Sequence, residues 1–173
     1  MVIKYSTGYN KDKIKYVGIF HLKDTYKMMF EWLNDKGYAV DETSYKEVIR
    51  NNEREVEIRW IVTKEQSDYF QYEFSVFFHG LNVVNTEVEV DGVKKKMQKG
   101  ELTTEFSWTI NKDYKNRFSQ NEFSKRVRNY YDKYLVSKRI EEQEILIVRD
   151  FEAMLGVLKD YLGVAGTREQ FLS

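Results

Sequence analysis

The 173-residue sequence contains neither cysteine nor proline. Without thiols it has no disulfide, no cysteine nucleophile and no thiolate-bound metal or cluster. The same absence fits a reducing compartment, and the expected location is cytoplasmic. Average proline use near 5% would place roughly nine in a chain of this length, so a proline-rich linker is excluded. Gly/Ser tracts and internal repeats are missing too, which points to one continuous domain over 1–173, with 1–13 and 164–173 as poorly ordered ends. Net charge is also absent, with 28 basic against 28 acidic residues. A dedicated nucleic-acid binder usually carries a basic excess, so such a role has to rest on a local patch. Long apolar runs do not occur: "FSVFFHGLNVVNT" (74–86) is too short to cross a bilayer as a helix. The first residues, "MVIKYSTGYNKDKIKY", lack the apolar region of a signal peptide. No transmembrane segment is expected.

What is present is periodic. "IKYVGIFHL" (14–22) reads as a strand of β-branched and aromatic residues. "KDTYKMMFEWLNDKG" (23–37) reads as a short helix capped by Asp24, with Tyr26, Met29, Phe30 and Leu33 at helical spacing and Gly37 as its stop. From residue 38 the period becomes two. Val56, Ile58, Trp60 and Val62 share a face, as do Phe70, Tyr72, Phe74, Val76 and Phe78, and Leu102, Thr104, Phe106, Trp108 and Ile110. Such alternation marks antiparallel strands with one buried and one wet face. Asp91-Gly92 between two of them is a strong hairpin signal, because a type I′ turn needs two residues that tolerate positive φ. After Phe118 the period is helical again, from about 121 to 162, as one helix or as two with a break near Ser137. The expected fold class is α+β: a single curved antiparallel sheet covered on one face by helices. The order of elements resembles the helix-grip arrangement of START-like domains, and element order alone predicts no activity.

Catalysis finds few parts. No HExxH, GxSxG, Walker A or dinucleotide glycine pattern occurs, so no catalytic residue, no metal site and no cofactor is assigned. His21 and His79 lie on expected strands beside aromatic residues, and read as partly buried structural histidines more readily than as a metal pair or a base. The spaced acids Glu55 and Glu57, or Glu87 and Glu89, read as a wet strand face.

Three surfaces remain as binding candidates. Residues 112–139 hold nine basic and three acidic side chains, a local charge of +6, followed by −4 over 141–152 from five acids and one arginine. Lys125, Arg126, Arg128, Lys133, Lys138 and Arg139, with Tyr131 as a stacking platform, are a candidate patch for an acidic partner such as nucleic acid; the adjacent acidic block favours a solvated helix face instead. Ile145, Leu146 and Val148, with Leu155, Leu158 and Leu162, supply more apolar surface than one helix face can bury: either the helix is enclosed on several sides within the chain, or this is a candidate surface for self-association or for a protein partner. Trp60, Phe70, Tyr72, Phe74, Phe106 and Trp108 can line an apolar pocket for a small ligand or pack solid. The expected function is a non-catalytic binding or assembly module acting through surfaces, with an apolar-ligand carrier and a weak nucleic-acid binder as alternatives.

"YKMMFEWLNDKGY" (26–38), the stretch from Ser67 to Tyr114 and "YYDKYLVSKRIEEQE" (130–144) together resemble a family of uncharacterised proteins predicted from archaeal genomes. That family shows a "YK-hydrophobic-x-W" helix, a "DYF" strand, a "DGKKVKM-x-KG" hairpin and a "YDKY–SRIE" helix. Here the hairpin reads "DGVKKKM", and a strongly charged tail is lacking. The resemblance spans roughly residues 14–160. It implies one domain and an intracellular setting, and it carries over no functional residue, since its members have no assigned activity.

Overall fold

The structure, a computed structural model, describes residues 3–5, 10–90, 92–115 and 137–169, with side chains over 10–89, 92–115 and 139–163. The described elements run β1 (Ile3–Tyr5), β2 (Lys11–Phe20), α1 (Leu22–Asp35), β3 (Ala39–Arg50), β4 (Glu53–Glu65), β5 (Phe70–Val90), β6 (Val93–Lys112) and α2 (Ser137–Glu169). All strand pairings are antiparallel, so the chain is an α+β protein built on a single sheet. The six strands fill five positions, because β1 and β2 lie end to end along β6: Tyr5 pairs with Ile110 and Lys11 with Ser107. The other side of β6 carries β5, then β4, then β3 at the far edge. Residues 11–13, assigned from sequence to a loose end, begin β2 because β6 satisfies their backbone.

The alternation works as expected. Even-numbered residues of β4, β5 and β6 form the buried face: Trp60, Tyr72, Phe74, Phe78, Phe106 and Trp108 are at most 2% exposed. Onto that face pack Met29 and Leu33 of α1 and Ile147, Phe151, Met154, Leu158 and Leu162 of α2. Each such side chain contributes on the order of 1.5–3 kcal/mol by leaving water. Polar contacts then fix where α2 sits. The Tyr38 hydroxyl donates to Asp150 at 2.9 Å, and Tyr72 donates to the Gln143 side chain at 2.7 Å.

Several local readings change. His21, rather than Asp24, caps α1: the helix begins three residues earlier, and the Asp24 amide donates to His21 Nδ1 at 3.2 Å. Gly37 ends the helix as expected, at φ +79°, while the Tyr38 and Gly37 amides donate to Leu33 and Asn34 carbonyls in a Schellman pattern. β3 turns into β4 through Asn51-Asn52, both at positive φ, a second two-residue hairpin. Val90 pairs with Val93 and Gly92 has φ +75°, which matches the expected hairpin; Asp91 lies outside the described residues. β5 bulges between Leu81 and Val84, and Gly100 lies beneath the bulge, where a Cβ would come within 2.9 Å of the Asn82 carbonyl oxygen. The long helix expected from 121 is described only from Ser137, and the stretch 116–136 lies outside the described residues.

Candidate functional site on the open face of the sheet

Both described helices cover the even-numbered face, and among the described residues no element covers the odd-numbered face of β4, β5 and β6. Strand register arranges its side chains in cross-strand rows. One row runs Asp41, Ile61, Ser75, Ser107, Lys11; the next runs Ser44, Arg59, Phe77, Glu105, Lys13; the next runs Lys46, Glu57, His79, Thr103, Lys15. The two serines are small where their neighbours are large, so the first two rows enclose a shallow groove of about 680 Å³.

Its walls are fixed by specific contacts. Arg59 stacks its guanidinium 4.0 Å above the Phe77 ring, which desolvates one face of the cation and holds it over the sheet. The bulge of β3 after Glu42 leaves Thr43 free to donate to the Arg59 carbonyl at 3.2 Å. Lys13 bonds Glu105 at 3.1 Å, while Lys11 and Arg59 make no such ion pair among the described residues. Hydroxyl groups of Ser75, Ser107 and Thr43 line the floor and rim. The groove therefore offers Lys11 and Arg59 beside small donors, with the carboxylates of Asp12 and Glu105 on the same lining. That arrangement has the chemistry to receive an anionic or polyhydroxyl group, and its lining residues include no nucleophile–base pair.

The adjoining row brings together three further side chains. His79 Nε2 lies 3.1 Å from Glu55 Oε1, Glu57 stands opposite His79 across the strands, and the donor atoms of all three fall within 4.8 Å of one another. The His79 ring stacks on Phe77 at 5.9 Å and 15°. Each of these residues is visible in the sequence as a wet-face residue. Their juxtaposition is not, because it depends on the β4–β5 register.

The surfaces expected from sequence fare differently. Of the apolar-pocket set, Trp60 packs edge-on against Tyr26 and Phe78, and Phe74 stacks on Tyr38 and meets Phe151. With Phe70, Tyr72, Phe106 and Trp108 these side chains belong to the core cluster. A crevice of about 240 Å³ remains at the edge, where Trp108 faces Phe151 and Leu155 under α2. Of the self-association set, Leu155, Leu158 and Leu162 are buried in this chain's own core, Leu146 and Val148 pack against it, and Ile145 is 70% exposed. Of the acidic-partner patch, Lys125, Arg126, Arg128, Tyr131 and Lys133 lie outside the described residues, as does the Lys138 side chain, and Arg139 is exposed on the first turn of α2. Lys115, from the same basic stretch, is held between Glu65 at 3.2 Å and Asp68 at 3.1 Å. Among the described residues no helix is long and apolar enough to cross a membrane. No protein-family model, no curated protein and no solved structure matches this chain.

Proposed function

We propose that this chain is a non-catalytic binding module that works through the open face of its sheet, holding an anionic or polyhydroxyl ligand in the Ser75–Ser107 groove. The groove itself carries the reading: about 680 Å³ on a face no described element covers, walled by the Arg59–Phe77 stack. A ligand-sized concavity with a few convergent polar groups is the usual form of a binding site. Native mass spectrometry of protein from its own source reads any bound ligand directly. In a thermal-shift screen of carboxylates, phosphates and saccharides, Arg59→Ala and Ser107→Leu should each abolish the stabilising hits, the first by removing charge and the second by filling the floor. Hits that survive both substitutions would place the site elsewhere.

The carrier reading keeps support from topology. The β1–β2 lane lies beside β6, α1 crosses to the opposite edge, and α2 returns over the same face, an order that suits a helix-grip architecture. Its interior argues the other way, since the crevice beside Trp108 is below the roughly 300 Å³ at which small-ligand sites begin. Membership of the archaeal family remains a proposal on the order and spacing of the three quoted stretches. A cytoplasmic location remains one on the absence of cysteine.

A further inference from the structure

We propose that Glu55, Glu57 and His79 bind a first-row divalent cation, with zinc the best fit. Glu57 and His79 are direct cross-strand partners, and Glu55 lies two residues along β4, at the bulge where the β4–β5 register shifts between Arg54 and Val56. The β4–β5 pairing holds Glu57 and His79, Glu55 is paired with Val48 of β3, and the donor atoms of all three lie within 4.8 Å of one another. Around zinc, bonds of about 2.0–2.2 Å put donors about 3.4 Å apart, a gap that glutamate side-chain torsions close with the backbone still. The imidazole is already placed: Phe77 supports its plane, and Nε2 is the nitrogen turned toward the carboxylate, 3.1 Å away.

Charge supplies the second step. Two carboxylates side by side on one strand repel unless a cation offsets them. Glu57 makes no ion pair or hydrogen bond among the described residues, although Lys46 stands opposite it on β3. The Arg54 guanidinium is engaged with Glu47 and Asn85, and Lys15 with Glu101. Thr103 faces His79 from β6 and brings no charge. Each of the three side chains is half-buried, so a bound cation is partly desolvated and keeps outward positions for water or a ligand group. One imidazole with two carboxylates suits zinc, cobalt or manganese, whereas magnesium and calcium favour all-oxygen shells. The site lies one row from the groove and does not depend on what the groove holds.

The test is calorimetric titration of the full chain with zinc and, separately, with magnesium. Saturable 1:1 zinc binding is expected, weakened at least tenfold by His79→Gln and by Glu57→Gln, unchanged by His21→Gln, and unmatched by magnesium. Glu57→Gln is the cleaner variant, because among the described residues Glu57 has no hydrogen-bond or ion-pair partner whose loss would disturb the fold. Cobalt provides an independent readout in the unmodified protein, where the ring resonances of His79 should shift and those of His21 should not. Failure to saturate, full affinity in both site variants, or cobalt shifts centred on His21 would each overturn the assignment.

Discussion

Tyr38 and Tyr72 join the sheet to α2, and their chemistry gives the fold a dependence on pH. Burial foremost, then the negative charge of Asp150 and the hydrogen bond it accepts, holds the Tyr38 phenol well above its ordinary value of 10. Burial and the same carboxylate push Tyr72 up to about 12, with Arg149 opposing. An unfolded tyrosine loses its proton near pH 10, whereas these two keep theirs in the folded chain. Above pH 10 the folded state therefore binds more protons than the unfolded one, and stability falls as pH rises. Below that point the contribution is fully present. Each phenol steepens the decline by at most about 1.4 kcal/mol per pH unit. Replacing both by phenylalanine should flatten the loss of denaturant stability between pH 10 and 12, at a cost of about 1–2 kcal/mol near neutrality for the lost hydrogen bonds. An equally steep alkaline decline in the double variant would show that other groups set it.

At the scale of elements, α2 separates buried from exposed apolar residues sharply. Leu158 is fully buried, so Leu158→Ala should cost about 2–5 kcal/mol in chemical denaturation. Ile145 is exposed beside Glu141, Glu142 and Glu144, and Ile145→Asp should change stability by less than about 0.5 kcal/mol. Light scattering should also find its mass unchanged across concentration, since a single side chain falls far short of a standard interface of about 800 Å² per partner. A mass that drops on this substitution would restore α2 as an assembly surface. Ile145 to Val148 are consecutive and no one face takes four neighbours, so the sequence allows a helix enclosed on several sides or one that meets a partner; in the structure α1 and the sheet take different sides of it. Other elements were legible in proportion to their periodicity. β4, β5 as far as Gly80 and β6 over 101–110 alternate, and their buried faces are the ones expected, with Thr103 of β6 buried besides. β3, "AVDETSYKEVIR", is an edge strand exposed along almost its whole length, so it carries no apolar alternation to read. Asn51-Asn52 held a usable signal, since asparagine tolerates positive φ better than most residues. β5 past Gly80 was obscured by its bulge, which shifts parity so that Val83, an odd-numbered residue, is buried. The groove and the Glu55–Glu57–His79 cluster were legible only as separate wet-face residues, because register between strands is not written in any one of them.

Across the molecule, the topology joins the beginning of the chain to its middle. β6 is bonded on one side to β1 and β2 and on the other to β5, so it touches more of the sheet than any other described strand. Its buried Trp108 faces α2 at the edge crevice, while Trp60 of β4 is wedged against Tyr26 of α1 and Phe78 of β5. The two indoles thus report on opposite parts of one core. Neither helix can leave without exposing apolar residues of the sheet, and β6 cannot leave without unpairing both of its sides. The described elements should therefore unfold as one cooperative unit. In an equilibrium urea series, tryptophan fluorescence should follow the same midpoint as far-ultraviolet circular dichroism, which weighs α1 and α2. Single-tryptophan variants retaining only Trp60 or only Trp108 should each show fluorescence and dichroism moving together. An earlier midpoint for Trp108 than for Trp60 would mean that α2 peels from the β2–β6 side while the β3–β5 meander persists, and that the sheet is two folding units sharing one set of hydrogen bonds.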